Sequence, residues 1–210
     1  DVRYTMCKET LEMMLCLNRK ELETQVVMQC APLLTGIKIS NLLTTDQNNR
    51  IHTARLFSRT PVSCFLLCQS QGKAVFLLYM KEQLKAYLDL PSVKGLMKRF
   101  GYTGMKLDEI LSLVGQCYKD HMEGRREFPH EIGLLLGYPA ADVEGFIENK
   151  GQDSLYSGYW KVYSDPEECR RIFNKYDHAR ERVIRLMAGG MTVRHIIALH
   201  HPYYYSTAAV

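Results

Sequence analysis

The sequence lacks the short motifs that mark the common catalytic and nucleotide-binding sites. It contains no GxGxxG fingerprint, no Walker loop, no GxSxG elbow and no protein-kinase signature. The usual nucleotide and hydrolase sites therefore have no sequence support. These absences leave a flavin or a haem open as a cofactor.

Metal-ligand spacings are missing as well. The seven cysteines form no CxxC pair. His130-Glu131 begins like the HExxH zinc helix, but Leu134 stands where the second histidine would have to be, and one missing ligand removes the motif. We therefore predict no metal site. Several cysteines lie in apolar runs such as MMLCL and SCFLLCQ, which is typical of buried thiols in a reducing cytoplasm.

Long apolar runs and blocks of one charge are also absent. No run approaches the roughly 20 apolar residues that span a bilayer, and the charged N-terminal stretch has no small-residue cleavage site. The 27 basic and 23 acidic residues are interleaved, so no stripe for a polyanion stands out. We expect a soluble cytoplasmic protein with neither a membrane nor a nucleic-acid partner.

What the sequence does contain predicts an α+β fold, with residues 1–210 as a single domain. The clearest signal is a hairpin at 62–80, where two apolar runs are joined by QSQGK with Gly72 to relax the turn. An aromatic and β-branched run at 159–163 favours another strand in the same small, mainly antiparallel sheet. A further strand is suggested at 35–39.

Helical periodicity and capping residues predict about six helices that cover this sheet. We expect them at about 8–30, 81–89, 92–100, 106–123, 166–188 and 192–199. The first helix contains a candidate break near Asn18, and Pro32 and Gly36 should break any helix beyond it. The polar run TTDQNNR is expected to be a surface loop.

The stretch EFPHEIGLLLGYPAADVEGFIENKG, at 127–151, has a helix-turn-helix pattern within a helical region at about 106–151. The required small, turn and apolar positions are filled by Gly133, Gly137, Val143 and Phe146. However, the second helix carries Asp142, Glu144 and Glu148 and no arginine, so its carboxylates would face DNA phosphates. We expect two short helices around a Gly137-Tyr138-Pro139 corner that do not bind DNA.

Three polar residues are candidates for chemistry or binding. His130, behind Pro129 at a helix start, could act as a general acid or base, whereas the commoner alternative is that His130 and Glu131 cap the exposed helix amides. Cys30 is a candidate nucleophile, with inert packing as the alternative. Lys38 is a candidate contact for a phosphate or a carboxylate.

The strand at 159–163 should have two different faces. Tyr159, Lys161 and Tyr163 share one face, whereas Trp160 and Val162 share the other. We expect Trp160 in the core, and we expect the Tyr/Lys face to be a candidate pocket lining for a flat or anionic ligand.

Three sequence blocks resemble an uncharacterised bacterial family, a domain of unknown function found mostly in anaerobic Firmicutes. The blocks are CAPLLTGIK at 30–38, FPHEIGLLLGYP with DVEGFIENKG at 128–151, and GYWKVY at 158–163. The sequence departs from the family at Met80 and Lys81, where Arg and then Pro are expected, which puts an anion contact there in doubt. The resemblance implies a redox or iron-linked role with a flavodoxin-like partner, and it implies no known reaction.

Our leading hypothesis is therefore a small-molecule or cofactor-binding protein whose pocket lies where the three blocks meet. The predicted ligand contacts are Lys38, Tyr138, Tyr159, Lys161 and Tyr163. Two alternatives stay open. One is an enzyme that uses His130, with Cys30 or Tyr163 as partner, and the other is an interaction or oligomerisation module that docks through the aromatic tail at 200–210.

Overall fold

The centre of the computed structural model, which describes residues 6–202 and Tyr204, is a three-stranded antiparallel sheet. Its strands are β1 (Ser40–Asp46), β2 (Val62–Ser70) and β3 (Lys73–Met80), in the order β1-β3-β2. The predicted hairpin is β2–β3, in which Ser70 pairs with Lys73 across a turn where Gln71 and Gly72 both have positive φ. This turn suits the twist of a tight hairpin. The predicted α+β class is confirmed.

The helices in the described part of the chain number ten, more than the six expected. They are α1 (Lys8–Cys16), α2 (Leu22–Leu34), α3 (Arg50–Phe57), α4 (Lys81–Leu88), α5 (Pro91–Arg99), α6 (Leu107–Met122), α7 (Glu131–Leu135), α8 (Ala140–Glu148), α9 (Pro166–Ala188) and α10 (Val193–His200). Residues 6–202 contain no helix with the length and hydrophobicity that crossing a membrane would require.

The central strand β3 contributes side chains to two hydrophobic cores. Phe76 and Leu78 pack into a core with α2, α9 and α10, whereas Leu77 and Tyr79 pack into a core with α4 to α8. This alternation follows from the period of two along a strand. A third, aromatic cluster around Trp160 and Phe173 lies beside the core that contains α4 to α8.

The strand predicted at 159–163 does not join the central sheet. It forms a separate two-stranded sheet, β4 (Tyr156–Ser157) with β5 (Lys161–Val162). The chain reverses between these strands, where the Gly158 amide donates to the Trp160 carbonyl at 3.1 Å. Trp160 and Val162 are buried in the aromatic cluster, so packing against helices, not pairing with the hairpin, fixes this segment.

The strand predicted at 35–39 is displaced and begins at Ser40. Gly36 has a φ of 72°, and the amides of Ile37 and Lys38 both donate to the Pro32 carbonyl at 3.0 Å. This turn closes the C-terminus of α2 and delays the extended backbone. It leaves Lys38 in the turn, directly before β1.

Two further helix predictions need correction. Pro32 lies inside α2 and does not break the helix there. The helix ends at Leu34, two residues later, so the N–H donor that the proline lacks is missing only from the last turn. The run TTDQNNR is not a loop throughout, since it contains the end of β1, a 3-10 turn at Gln47–Asn49 and the start of α3. The predicted break near Asn18 is confirmed between α1 and α2.

Candidate functional site

A pocket of about 240 Å³ lies between the α7–α8 corner and β5. Its apolar and aromatic lining comprises Leu42, Phe128, Ile132, Leu136, Val143, Phe146 and Trp160, and its polar side chains are His130, Tyr138, Asp142 and Lys161. Pockets for drug-sized ligands occupy about 300–1,000 Å³. This pocket is slightly smaller, so it suits a ligand of one or two rings.

Close packing of α7 against α8 depends on glycines at the corner. A β-carbon at Gly133 would lie 2.9 Å from Val143 Cγ2 and 3.5 Å from Tyr138 Cδ2. Gly137 has a φ of 73°, and a β-carbon there would lie 2.8 Å from the Ile39 side chain. These contacts require residues without a side chain at both positions. The predicted two-helix corner is confirmed, and it places Tyr138 in the pocket lining.

Asp142, in the first turn of α8, connects that helix to β5. Its side chain is 1% exposed. Oδ1 accepts hydrogen bonds from the Tyr163 and Ser164 amides and from Ser164 Oγ, all at 2.8–2.9 Å, and Oδ2 accepts one from Trp160 Nε1 at 2.8 Å. Fixed donors thus stabilise this buried carboxylate in place of a cation. Asp142 is not the solvent-facing carboxylate that a helix-turn-helix reading assumes.

Trp160 forms one wall of the pocket. Its side chain is 8% exposed, which confirms the predicted burial. The indole stacks on Tyr138, with ring centroids 4.8 Å apart and an interplanar angle of 26°, and it meets the Phe173 ring edge-on at 4.5 Å. Because Trp160 is the single tryptophan of the chain, its fluorescence reports directly on the pocket.

His130 lies at the start of α7 and contributes to the pocket lining. Its ring centroid is 5.6 Å from that of Phe146 and 6.1 Å from that of Phe128. The side chain makes no capping hydrogen bond. Glu131 is buried and accepts a hydrogen bond of 2.6 Å from the Tyr102 hydroxyl. The predicted capping role is therefore wrong for both residues.

The predicted Tyr/Lys face is split between different contacts. Lys161 lines the pocket, and its Nζ donates to the Gly151 carbonyl at 2.5 Å. The Tyr159 hydroxyl donates to Asp177 Oδ1 at 2.9 Å, and the Tyr163 hydroxyl donates to the Gln152 carbonyl at 2.9 Å. Neither tyrosine lines the pocket. A two-residue strand is too short to present the continuous face that alternation predicts.

Cys30 and Lys38 lie together in the interior, on either side of Asn41. Asn41 Nδ2 lies 3.6 Å from Cys30 Sγ, and Asn41 Oδ1 accepts a hydrogen bond of 3.0 Å from Lys38 Nζ. Cys30 is 0% exposed, and burial raises the pKa of its thiol to about 12. The thiol is then protonated at neutral pH, which favours inert packing over a nucleophilic role.

Tyr138 is the point where the three sequence blocks meet. Its ring centroid lies 5.4 Å from Lys38 Nζ, a contact from the first block to the second. On the pocket side the same ring stacks on Trp160 from the third block. Lys38 is therefore next to the pocket lining without being part of it, whereas Lys161 and His130 line the pocket.

The remaining cysteine and metal predictions can be compared with the structure. Cys68 and Cys169 are buried like Cys30, but Cys16 is exposed and Cys7, Cys64 and Cys117 are partly exposed. The expectation of buried thiols in the apolar runs is therefore confirmed for Cys68 and wrong for Cys16. Within residues 6–202 and Tyr204, no three His, Cys, Asp or Glu side chains are grouped so as to hold a metal ion.

The fold and the site define an α+β protein with a small aromatic pocket beside a helical corner. A family model described as "Protein of unknown function (DUF3793)" matches residues 26–197. The match extends from α2 to α10 and includes all three sequence blocks, and the chain belongs to this family. Comparison with curated proteins and with solved structures found no match.

Proposed function

We propose that the protein binds a small planar molecule with an acidic group in the pocket between the α7–α8 corner and β5. The observation that carries this proposal is the combination of aromatic rings and a cation on one small cavity. Trp160, Tyr138 and Phe146 offer flat surfaces, and Lys161 Nζ offers a positive charge. Such pockets commonly pair an apolar lining with a few polar groups that orient the ligand.

The charge available to a ligand in this pocket is positive. All the hydrogen bonds that Asp142 accepts come from the protein, so its carboxylate is already occupied. Lys161 Nζ has a neutral carbonyl as its acceptor and, in the part of the chain that the structure describes, forms no ion pair. A carboxylate or phosphate on the ligand would supply the missing counter-charge.

Ligand binding is favoured over the alternative of an enzyme that uses His130 with Cys30 or Tyr163. Those two partners lie outside the pocket lining, and their side chains have other hydrogen-bond partners, the Leu42 carbonyl for Cys30 and the Gln152 carbonyl for Tyr163. The interaction-module alternative depends on the tail at 200–210, and residues 203 and 205–210 lie outside the described residues. We therefore assign His130 a binding role, as a hydrogen-bonding group beside Lys161.

A link to redox or iron metabolism, a flavodoxin-like partner and a cytoplasmic location are also part of this proposal. The redox or iron link and the partner are supported by the sequence resemblance alone, and the cytoplasmic location by the cysteines in apolar runs. Protein purified without oxygen would show the absorbance of a flavin or haem if either were the ligand. A colourless protein that retains an aromatic acid would support the binding proposal without the redox link.

Native mass spectrometry of gently purified protein tests the proposal. We expect one small acid per chain, released on denaturation. Lys161→Glu should lower occupancy about tenfold, since reversal of this charge removes the counter-charge of the acid. Lys175→Glu is the matched control, because Lys175 is exposed on α9, away from the pocket. Equal occupancy in the two variants would contradict the proposal.

A further inference from the structure

Lys38 is a buried amine. Its side chain is 6% exposed, and its Nζ donates to the neutral amide oxygen of Asn41 at 3.0 Å. Within the described residues Lys38 forms no ion pair. Burying an ammonium group without a carboxylate is costly, so this arrangement calls for an explanation beyond packing.

The groups that face Lys38 carry no negative charge. They are the Cys30 thiol and the rings of Tyr138 and Tyr176, which lie 5.4 and 6.0 Å from Nζ. Burial raises the pKa of each of these three groups to about 12, so all stay neutral at physiological pH. Burial also lowers the pKa of Lys38 to about 8. Roughly a tenth of the amine is then uncharged and nucleophilic at pH 7.

This amine lies next to a residue of the pocket lining without being part of that lining. Tyr138 lines the pocket and contacts Lys38, and Leu42, which follows Asn41 in the chain, also lines the pocket. The Tyr138 backbone is fixed at both ends, because its amide donates to the Gly133 carbonyl and its carbonyl accepts from the Tyr87 hydroxyl. A path from the pocket to Lys38 therefore requires the Tyr138 ring to leave its stack on Trp160 while its backbone stays in place.

We propose that Lys38 is a carbonyl-reactive lysine, and that the ligand of this pocket carries an aldehyde or ketone in addition to its acidic group. This inference rests on the proposed binding function. With the acid held at Lys161, the carbonyl group would point towards Tyr138 and, once that ring rotates, reach Lys38 Nζ. Lysines that are desolvated in this way are the ones that form imines.

The reaction balances without an oxidant or reductant. The lone pair of the neutral amine attacks the carbonyl carbon, the π electrons of the C=O bond move to oxygen, and one proton passes from nitrogen to that oxygen. The resulting carbinolamine loses its hydroxyl group, which leaves as water with the second proton of nitrogen, and the C=N bond forms. One amine and one carbonyl group thus give one imine and one water molecule.

Reductive trapping tests this inference. Protein at pH 8 is incubated with 4-formylbenzoate, reduced with borohydride, digested and mapped by mass spectrometry. We expect the reduced adduct on Lys38, at least tenfold faster than on exposed lysines such as Lys175. Lys38→Met should lose the adduct, and Lys175→Arg should keep it. Circular dichroism of Lys38→Met checks that this variant folds.

A second ligand separates this inference from the proposed function. Terephthalate has the same shape and acid group but no aldehyde, and its binding is followed by Trp160 fluorescence in wild type and in Lys38→Met. Terephthalate binding without an adduct on Lys38 would overturn the imine and leave the binding function standing. Absence of both would overturn both. Equal labelling of Lys38 and exposed lysines would also overturn the inference.

Discussion

The indole Nε1 of Trp160 donates a hydrogen bond of 2.8 Å to Asp142 Oδ2. This contact holds the aromatic pocket wall against α8. The same carboxylate accepts hydrogen bonds from the backbone amides of Tyr163 and Ser164, so it also fixes the chain that follows β5. A buried acidic side chain thereby sets the geometry of a site whose proposed ligand is itself acidic.

We predict that Asp142→Asn lowers the free energy of unfolding by about 3 kcal/mol, as measured by urea denaturation. Every partner of this carboxylate is a donor, so an asparagine NH₂ group would face donors on whichever side it occupies. Glu144 lies on α8 like Asp142, and it forms a surface ion pair with Arg99 of α5. Glu144→Gln, which breaks this ion pair, should lower the free energy of unfolding by less than about 1 kcal/mol. Equal losses in the two variants would show that Asp142 does not hold β5.

The contact between α8 and β5 makes a second prediction, at Gly145. A β-carbon there would lie 2.5 Å from Tyr163 Cβ, so Gly145→Ala should lower the free energy of unfolding by about 1–3 kcal/mol. Gly95, in α5, has open space around it, and Gly95→Ala should instead raise it by about 0.5–1 kcal/mol. Thermal denaturation of both variants measures the difference in stability. If both substitutions raised the stability, the close contact between α8 and the chain at β5 would be contradicted.

A third prediction concerns the pH dependence of stability at Lys38. The folded pKa, about 8, lies below the ordinary value of 10.5. Between pH 8 and 10.5 the unfolded chain therefore binds more protons than the folded chain, and stability is lost as the pH falls from 10.5 to 8. We expect Lys38→Met to be about 2–3 kcal/mol more stable than wild type at pH 7. This difference should shrink as the pH rises from 8 towards 10.5.

The comparison between variant and wild type removes the other titrations from that measurement. Cys30, Tyr138 and Tyr176 face Lys38 and are present in both proteins, so their ionisation in the unfolded state cancels. A constant difference between Lys38→Met and wild type from pH 6 to 10 would contradict the lowered pKa.

Local signals in the sequence predicted the parts of the fold that local chemistry determines. Gly72 marks the hairpin turn. Asp165 caps α9, since its carboxylate accepts a hydrogen bond from the Glu168 amide at 3.0 Å, and Pro166 occupies the first turn. Trp160 was correctly placed in the core. In each case the residues that decide the structure lie within a few positions of one another.

Features set by distant contacts were not predictable in the same way. Asp142 appears on the sequence as one more acidic residue of a polar helix, and its donors lie 18–27 positions away along the chain. The separation of β5 from the central sheet depends on the burial of Trp160 and Val162 against helices. Phe128 and Phe146 show no pattern that distinguishes a pocket lining from an ordinary core. The three sequence blocks marked the region of the pocket without specifying these contacts.

Titration of the pocket by Trp160 fluorescence tests the proposed binding function most directly. We predict that terephthalate causes a saturable change, that Lys161→Glu weakens binding about tenfold, and that Lys175→Glu has no effect. The cation benzylamine, with a similar ring and the opposite charge, should cause no saturable change. The absence of saturation by terephthalate at millimolar concentrations, or equal binding of benzylamine, would contradict a pocket for a planar acid.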